Sequence, residues 1–417
     1  MTYDVIAVGG GLTGAAAAIC AARQGMHALV IEKSGFLGGA ACNCLVNPFM
    51  VYTTELDGTP TMISDGIFRE ILDNLQAMGG LHRNKVTFNE EILKVVLDNM
   101  CREAGVEVLF HSYLSGAEWK DGRIESVSVV NKSGTQRFAG RFFVDATGDA
   151  DLAAMVGCAY QLGRESDNLC QPMTLCFRLS GVDVDMVFQN HDKINALYAK
   201  FRGEGKITNP RENVLKFVHM DKDILHLNST RIVKKSPVDA ADLSWCEAEG
   251  RRQMMELFTF LKENCPGFAR AQILSSAADI GVRESRMIRG RYTLTEQDLL
   301  NLTVFDDAIA ACRYSIDIHS PDGTGTYLHE FQQGEYYTIP YRCLVPANGP
   351  GNLLAAGRCI SATHVAQSSL RTMPTCACMG QAAGLAAALA VCNGTDAAGV
   401  DIQALRRRLQ DSGAFVG

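Results

Sequence analysis

YDVIAVGGGLTGAAAAICAARQGMHALVIEK, residues 3–33, is the stretch from which the fold can be read. An apolar run enters a glycine-rich turn, an alanine-rich stretch follows, and a second apolar run ends in an acid: strand, turn, helix, strand. Gly9 and Gly11 allow the turn and let backbone N–H groups approach a pyrophosphate, while Gly14, with Ala18 one turn on, lets the helix lie close to a sheet. Gly25 ends the helix. Glu32 closes the second strand, where a carboxylate can accept from both hydroxyls of an adenosine ribose. A lone GxGxxG is a weak signal, and the flanking strand, helix and terminal acid give this one its weight.

A chain of 417 residues exceeds what one core usually serves, so two domains are expected. Hydrophobic content of 47% with 20% charged residues excludes intrinsic disorder. A net charge of −7 argues against a nucleic-acid partner, because phosphate binding needs a dense basic face and the one arginine run, Arg406–Arg408, reads as the solvated side of a helix. The apolar runs at 15–22 and 382–392 are short for a bilayer, and residues 1–8 lack a basic leader, so no membrane span and a cytoplasmic location are expected. Fifteen cysteines, none spaced as CxxC, fit buried thiols in a reducing compartment and leave no ordinary zinc or iron–sulfur spacing.

The loop alone does not separate a nicotinamide from a flavin dinucleotide. Three later segments each end an apolar run at glycine: Gly38-Gly39, FFVDATGDAD (142–151) and NLLAAGRCISATH (352–364). With these the chain resembles the glutathione-reductase-type FAD superfamily. More narrowly it resembles the FAD-dependent oxidoreductases whose FAD domain is split by a substrate domain. The narrower likeness continues through IGVRESRMIRGRYTLTEQDL (280–299), FDDAIA (305–310), IDIH (316–319), YTIPYRCL (337–344) and AGRCISATHVAQSSLRTMPTCACMGQAAG (356–384). It implies an α/β fold: a Rossmann-like FAD-binding domain of glutathione-reductase type, with a central parallel sheet and a β-meander, over 1–164 and 341–417. A mixed α+β substrate domain is expected at 165–340.

The local pattern supplies elements for this frame. Amphipathic helices are predicted at about 64–78 and at 89–105, the latter ended by Gly105. A meander is predicted with turns at Asp121-Gly122 and Ser133-Gly134. Beyond 165, MTLCFRL, LKFVHM and LHLNSTRIV read as strands, 183–200 as a helix, and 240–265 as a long helix starting near Asp239 or Asp242. NLLAAG is the last strand of the FAD sheet, with the helix TCACMGQAAGLAAALAV behind it.

Loop and resemblance together give an expected cofactor set: Gly9, Gly11, Leu12, Thr13, Gly14, Glu32, Lys33, Gly38, Gly39, Ala40, Leu114, Ala146, Thr147, Gly148, Gly357, Arg358, Pro374, Thr375 and Gly380. Pro374 and Thr375 favour a helix start, whose partial positive charge suits the N1–C2=O edge of a reduced flavin. Gly380 and Gly384 allow close approach to a strand or cofactor. FAD is expected to be noncovalent, since no histidine follows Gly38-Gly39, where related fumarate-reductase-type enzymes place one for a covalent link.

Catalytic candidates are His319, His364, Arg371 and Arg283, because arginine holds carboxylates and histidine exchanges protons near neutrality. Asp317 and His319 alternate onto one strand face, where the acid can orient the imidazole. Glu284 can pair with Arg283 or Arg286. The leading reading is hydride exchange between flavin N5 and a small polar substrate, hydroxylated or carboxylated, with a separate electron donor or acceptor. Two alternatives stand beside it. One is a thiol–disulfide reductase using Cys42 and Cys44 of LGGAACNCLVNPFM (37–50), against which stand the cramped ring and the lack of a second dinucleotide loop. The other is a non-catalytic flavin-bearing sensor or subunit.

Overall fold

The structure, a computed structural model, describes residues 2–323 and 325–417. The opening stretch forms the strand Thr2–Val8, the loop helix Leu12–Ala22 and the strand Ala28–Ile31. These strands pair in parallel with Val8 opposite Ile31. On the other side Gly134–Asp145 runs parallel with Asp145 opposite Val8, and Leu353–Ala355 runs parallel to its last residues with Ala355 opposite Asp145. Four strands therefore end level. In an open α/β sheet that is the edge outside which ligands bind.

The meander is not a separate layer. Tyr113–Lys120 and Arg123–Asn131 pair antiparallel, and Arg123–Asn131 pairs with the first half of Gly134–Asp145. That 12-residue strand is long enough to serve both arrangements, so meander and parallel strands form one mixed sheet, with Glu107–Leu109 at the opposite edge. Alternation along the strands feeds both faces: Val5, Ala7, Val30 and Val144 join one core, and Ile6, Val8, Ile31 and Phe143 the other.

The first face is covered by the loop helix and by the core helix Met373–Asn393. At 21 residues the core helix is longer than the apolar run suggests and passes a length and hydropathy test for crossing a bilayer, yet 89% of its most apolar window is buried inside the molecule. Its apolarity is explained by that burial. It starts at Met373, with Thr372 as N-cap, slightly before the predicted start.

Between these parts the chain builds an antiparallel sheet in the order Lys216–Val218, Leu225–Leu227, Phe177–Ser180, Gln272–Ser276. The helix Ala240–Asn264, capped by Asp239, packs Leu257, Phe260 and Leu261 against it. Two expectations change. The strand read over MTLCFRL is regular only at Phe177–Ser180, with Met173 and Thr174 reduced to single bridges. The helix read over 183–200 breaks at Asn190 into Val184–Gln189 and His191–Gly203, where the Asn190 side chain donates back to the Met186 carbonyl at 2.8 Å.

Candidate functional site

The residues that follow the four level strand ends are hydrogen-bonded to one another. Gly9 N–H donates to the Ile31 carbonyl (2.8 Å), Gly38 N–H to the Gly10 carbonyl (2.9 Å) and Ala146 N–H to the Val8 carbonyl (2.8 Å). Gly9, at φ +98°, has no room for a side chain because a Cβ would run into the Ala146 carbonyl. Gly11 differs: a Cβ there would meet only the Gly39 Cα, 3.8 Å away, so the loop is open on that side. The loop helix begins here with no side-chain cap, whereas Asn89, Asp239, Thr363 and Asp401 cap theirs. Uncapped first-turn N–H groups beside an open glycine fit a pyrophosphate. Glu32 is buried, and its carboxylate accepts from Gly10 N–H (2.6 Å) and Ser34 N–H (2.8 Å). Those bonds fix its orientation and leave acceptor capacity for ribose hydroxyls. The residues present thus fit the adenosine diphosphate half of FAD.

Around this cradle the expected set is placed unevenly. Leu12 and Thr13 open the loop helix, and Thr13 Oγ1 donates to the Cys376 carbonyl (3.1 Å), joining it to the first turn of the core helix. Gly357 packs on the Thr13 hydroxyl, Pro374 and Thr375 lie in that first turn, and the turn again has no side-chain cap. Ala40 starts a short helix after Gly39, and Leu114 lies in the meander. Thr147 turns both its N–H and its hydroxyl onto Asp145 (3.1 and 2.7 Å), and Lys33 pairs with Asp279 at the surface (3.1 Å). Arg358 clamps protein to protein, with Nε on the Gly148 carbonyl (2.8 Å), Nη2 on Asp149 (2.5 Å) and Nη1 on the Val282 carbonyl (2.5 Å). Gly380 and Gly384 lie close against the loop helix: a Cβ on either would strike it, at the Thr13 and Ala17 carbonyls.

The catalytic candidates form two polar groups. Asp317 and His319 share a face of the strand Ile316–His319, with Nε2 to carboxylate 3.5 Å. His319 Nδ1 accepts from Arg231 (3.0 Å), so the ring proton sits on Nε2 and faces Asp317. Burial, reinforced by the Arg283 charge, pushes His319 down to about 3, and it is neutral at physiological pH. Burial raises Asp317, but His319, the Arg371 guanidinium at 3.6 Å and the Tyr314 hydroxyl (2.8 Å) outweigh it and hold the carboxyl well below its ordinary range.

In the second group His364 opens the helix His364–Leu370, and its Nδ1 lies 2.7 Å from Glu284, whose other oxygen accepts from Gln171 N–H (2.8 Å). Glu284 therefore pairs with histidine and not with Arg283 or Arg286. Arg286 instead reaches Asp151 (2.8 Å), and Arg283 donates to the Pro172 carbonyl (2.6 Å), the Thr174 hydroxyl and Asn228 (3.2 Å). Gln171 and Gln367 bridge the two groups: their side chains meet at 3.3 Å, and Gln171 also accepts from His319 N–H (3.3 Å). No sequence signal marks either glutamine.

Cys42 and Cys44 do not form a dithiol pair. Burial pushes each thiol up to about 12, and they face different carbonyls, those of Glu90 (3.7 Å) and Ile280 (3.5 Å). An open cleft of about 710 Å³ lined by Phe305, Asp307, Tyr341 and Ile402 shares no residue with either polar group or the cradle.

A model of the family described as FAD dependent oxidoreductase matches residues 4–409. A curated relative, digeranylgeranylglycerophospholipid reductase 2 of Methanothermobacter thermautotrophicus, is 26% identical over 196 residues, 44% of this chain and 49% of that protein. That match spans about half of the relative's length. Among solved structures, a geranylgeranyl bacteriochlorophyll reductase-like protein from Thermoplasma acidophilum is 12% identical with a TM-score of 0.48, covering 98% of this chain and 83% of that one. The p-nitrophenol 4-monooxygenase of Pseudomonas putida is 12% identical with a TM-score of 0.44, covering 99% and 81%. The chain belongs to the FAD dependent oxidoreductase family, whose cofactor is FAD.

Proposed function

We propose that the chain binds FAD noncovalently across the level strand ends, in the manner of glutathione-reductase-type domains, and exchanges a hydride between flavin N5 and a small polar substrate. On this reading residues 1–164 and 341–417 form the FAD domain, 165–340 the substrate domain, and the reaction takes place between them. When bound, FAD supplies the electron chemistry, and the protein supplies orientation, a proton relay and exclusion of water.

The Glu284–His364 pair carries the proposal. A buried carboxylate 2.7 Å from Nδ1 holds the proton there and leaves Nε2 as the basic atom. When Nε2 takes a proton from a substrate hydroxyl, the imidazolium is stabilised by the same carboxylate; in the reverse direction the proton returns. His319 cannot serve equally, because both its nitrogens are engaged and it stays neutral. Its part is to orient Asp317, while Arg283 and Arg371 supply fixed positive charge.

The test is anaerobic stopped-flow absorbance of the flavin, using a compound found by screening for bleaching. His364→Ala should keep FAD and slow reduction or reoxidation about 10²–10⁴-fold, and Glu284→Gln should slow it to a smaller degree. Parent rates in both variants would remove the pair from the mechanism.

A further inference from the structure

Four arginines belong to the polar interior around Asp317: Arg371 lies 3.6 Å from its carboxylate, Arg231 donates to His319, Gln367 donates to the Arg283 carbonyl, and Arg211 precedes Glu212, which pairs with Arg231. Arg231 is balanced: its Nη1 lies 3.1 Å from Glu212 and also reaches the Gly323 and Gly325 carbonyls, and its Nη2 donates to His319. Arg371 has Asp317 at 3.6 Å, a carboxylate already shared with His319 and Tyr314, and its buried Nε has no hydrogen-bond partner. Among the described residues, Arg283 and Arg211 have no carboxylate within 4.0 Å. Arg283 spends its donors on neutral oxygens. Arg211 is 5% exposed, and among the described residues its guanidinium makes one hydrogen bond, from Nε to Asn213 at 3.2 Å.

Among the described residues two acids, Glu212 and Asp317, lie within 4.0 Å of these guanidiniums, and Glu284, which follows Arg283 in the chain, is committed to His364 and Gln171. The strain shows in the charges. Burial, then the Arg371 and Arg211 charges, push Arg283 down to about 9; burial, then Arg231, push Arg211 down to about 10. Both remain cationic at neutral pH. An apolar side chain of similar length would occupy the Arg211 site at lower cost, so stability alone does not account for an arginine there. Its flat fork, with Nη donors that bond to none of the described residues, is shaped for a carboxylate.

From this excess of fixed charge we infer that Arg211, with Arg283 and Arg371, forms a subsite for the carboxylate of an anionic substrate. The substrate of the proposed oxidoreductase is then an ionised carboxylic acid and not a neutral alcohol; this link to turnover rests on the reading above, but binding itself does not.

The test measures binding without turnover. Oxidised, FAD-loaded enzyme is titrated calorimetrically with succinate, glutarate and benzoate, and in parallel with their uncharged amides. At least one carboxylate should bind saturably, with its amide about tenfold weaker or worse, and Arg211→Met should weaken that carboxylate about ten- to a hundredfold. The ligand-free melting temperature of Arg211→Met should be unchanged or higher, because an unpaired buried charge is gone. Arg211→Lys should keep part of the affinity. The inference is overturned if no probe binds the parent, if acids and amides bind alike, or if Arg211→Met binds as the parent does while melting lower. The comparison of acids with amides in the parent needs no variant to fold. Failure here leaves the role of His364 standing, and parent rates in the His364 variant would leave the anion subsite standing.

Discussion

His319, His364 and His226 carry one side chain into three environments, and the neighbours decide what each can do. His319 is locked between Arg231 and Asp317, and His364 is held at one nitrogen only. His226 lies buried in the strand Leu225–Leu227 with neither ring nitrogen hydrogen-bonded, and burial, helped by the Arg178 charge, pushes it down to about 3. In the unfolded chain it takes up a proton near pH 6.5. Since the folded value is the lower one, the stability it permits is present in full above about 6.5 and is lost as pH falls from there toward 3. His226→Leu should therefore narrow the stability difference between pH 7 and pH 4.5 by on the order of a few kcal/mol in urea unfolding. An unchanged difference would assign the acid sensitivity to other groups, beginning with the neighbouring His219, which burial also pushes down. Some of this scale was legible: the period-two spacing put Asp317 and His319 on one face, and they meet there. Glu284 and His364 stand 80 residues apart, and no spacing rule joins them. Arg211 sits in a loop with no periodicity, so its burial beside three other arginines appears only once the chain is folded.

Helices and strands were most legible where a local signal had no competitor. Gly105, read as the end of its helix, is the left-handed C-cap of Glu90–Ala104, with Asn89 as N-cap, and of the two acids near which the long helix was expected to start, Asp239 caps Ala240–Asn264. Elements that depend on a distant partner were misjudged. Nothing in GTQRFAGRFFVD says that its second half leaves the meander to lie beside Thr2–Val8, and nothing in the core helix says that its glycines meet the loop helix. Gly380 and Gly384 face Thr13 and Ala17, a pair of carbonyls one turn apart on the loop helix, so the two helices cross at backbone contact. This gives a prediction with competing signs. On an exposed helix Gly→Ala would stabilise by about 1 kcal/mol through propensity. At Gly384 the added methyl would run into the Ala17 carbonyl and force the helices apart, an overpacking cost of about 1–3 kcal/mol. Gly384→Ala should lower the urea midpoint, and with it FAD affinity, because the loop helix carries the open cradle at its start. A rise in the midpoint would mean that the crossing is looser than its backbone contact implies.

At the scale of the whole molecule, the cradle is where the chain returns to itself: Gly9–Gly11, Gly38-Gly39, Ala146–Gly148 and Gly357 arrive from four regions of the sequence and meet at one sheet edge. The glycine motifs announced that edge because each needs a backbone conformation or approach that other residues resist. What they could not announce were the buried polar groups, which are assembled from side chains on 171–174, 211–231, 283–284, 314–319 and 364–371. A ligand lying along the edge bonds to several of these regions at once in the folded chain and to none of them in the unfolded one, so its free energy of binding adds directly to the free energy of folding. With FAD at a hundredfold excess over its dissociation constant, stability should rise by about 2.7 kcal/mol relative to FAD-free protein. Because no histidine lies in the stretch directly after Gly38-Gly39 and the nearby thiols of Cys42 and Cys44 are buried and protonated, the attachment should be reversible. Acid precipitation should leave all the yellow colour in the supernatant. Protein stripped of flavin should melt earlier, and added FAD should restore the original midpoint in proportion to the logarithm of its concentration. Colour held in the pellet would mark a covalent bond, with Cys42 or Cys44 as the first residues to replace, and a midpoint indifferent to FAD would mean that the cradle closes without its ligand.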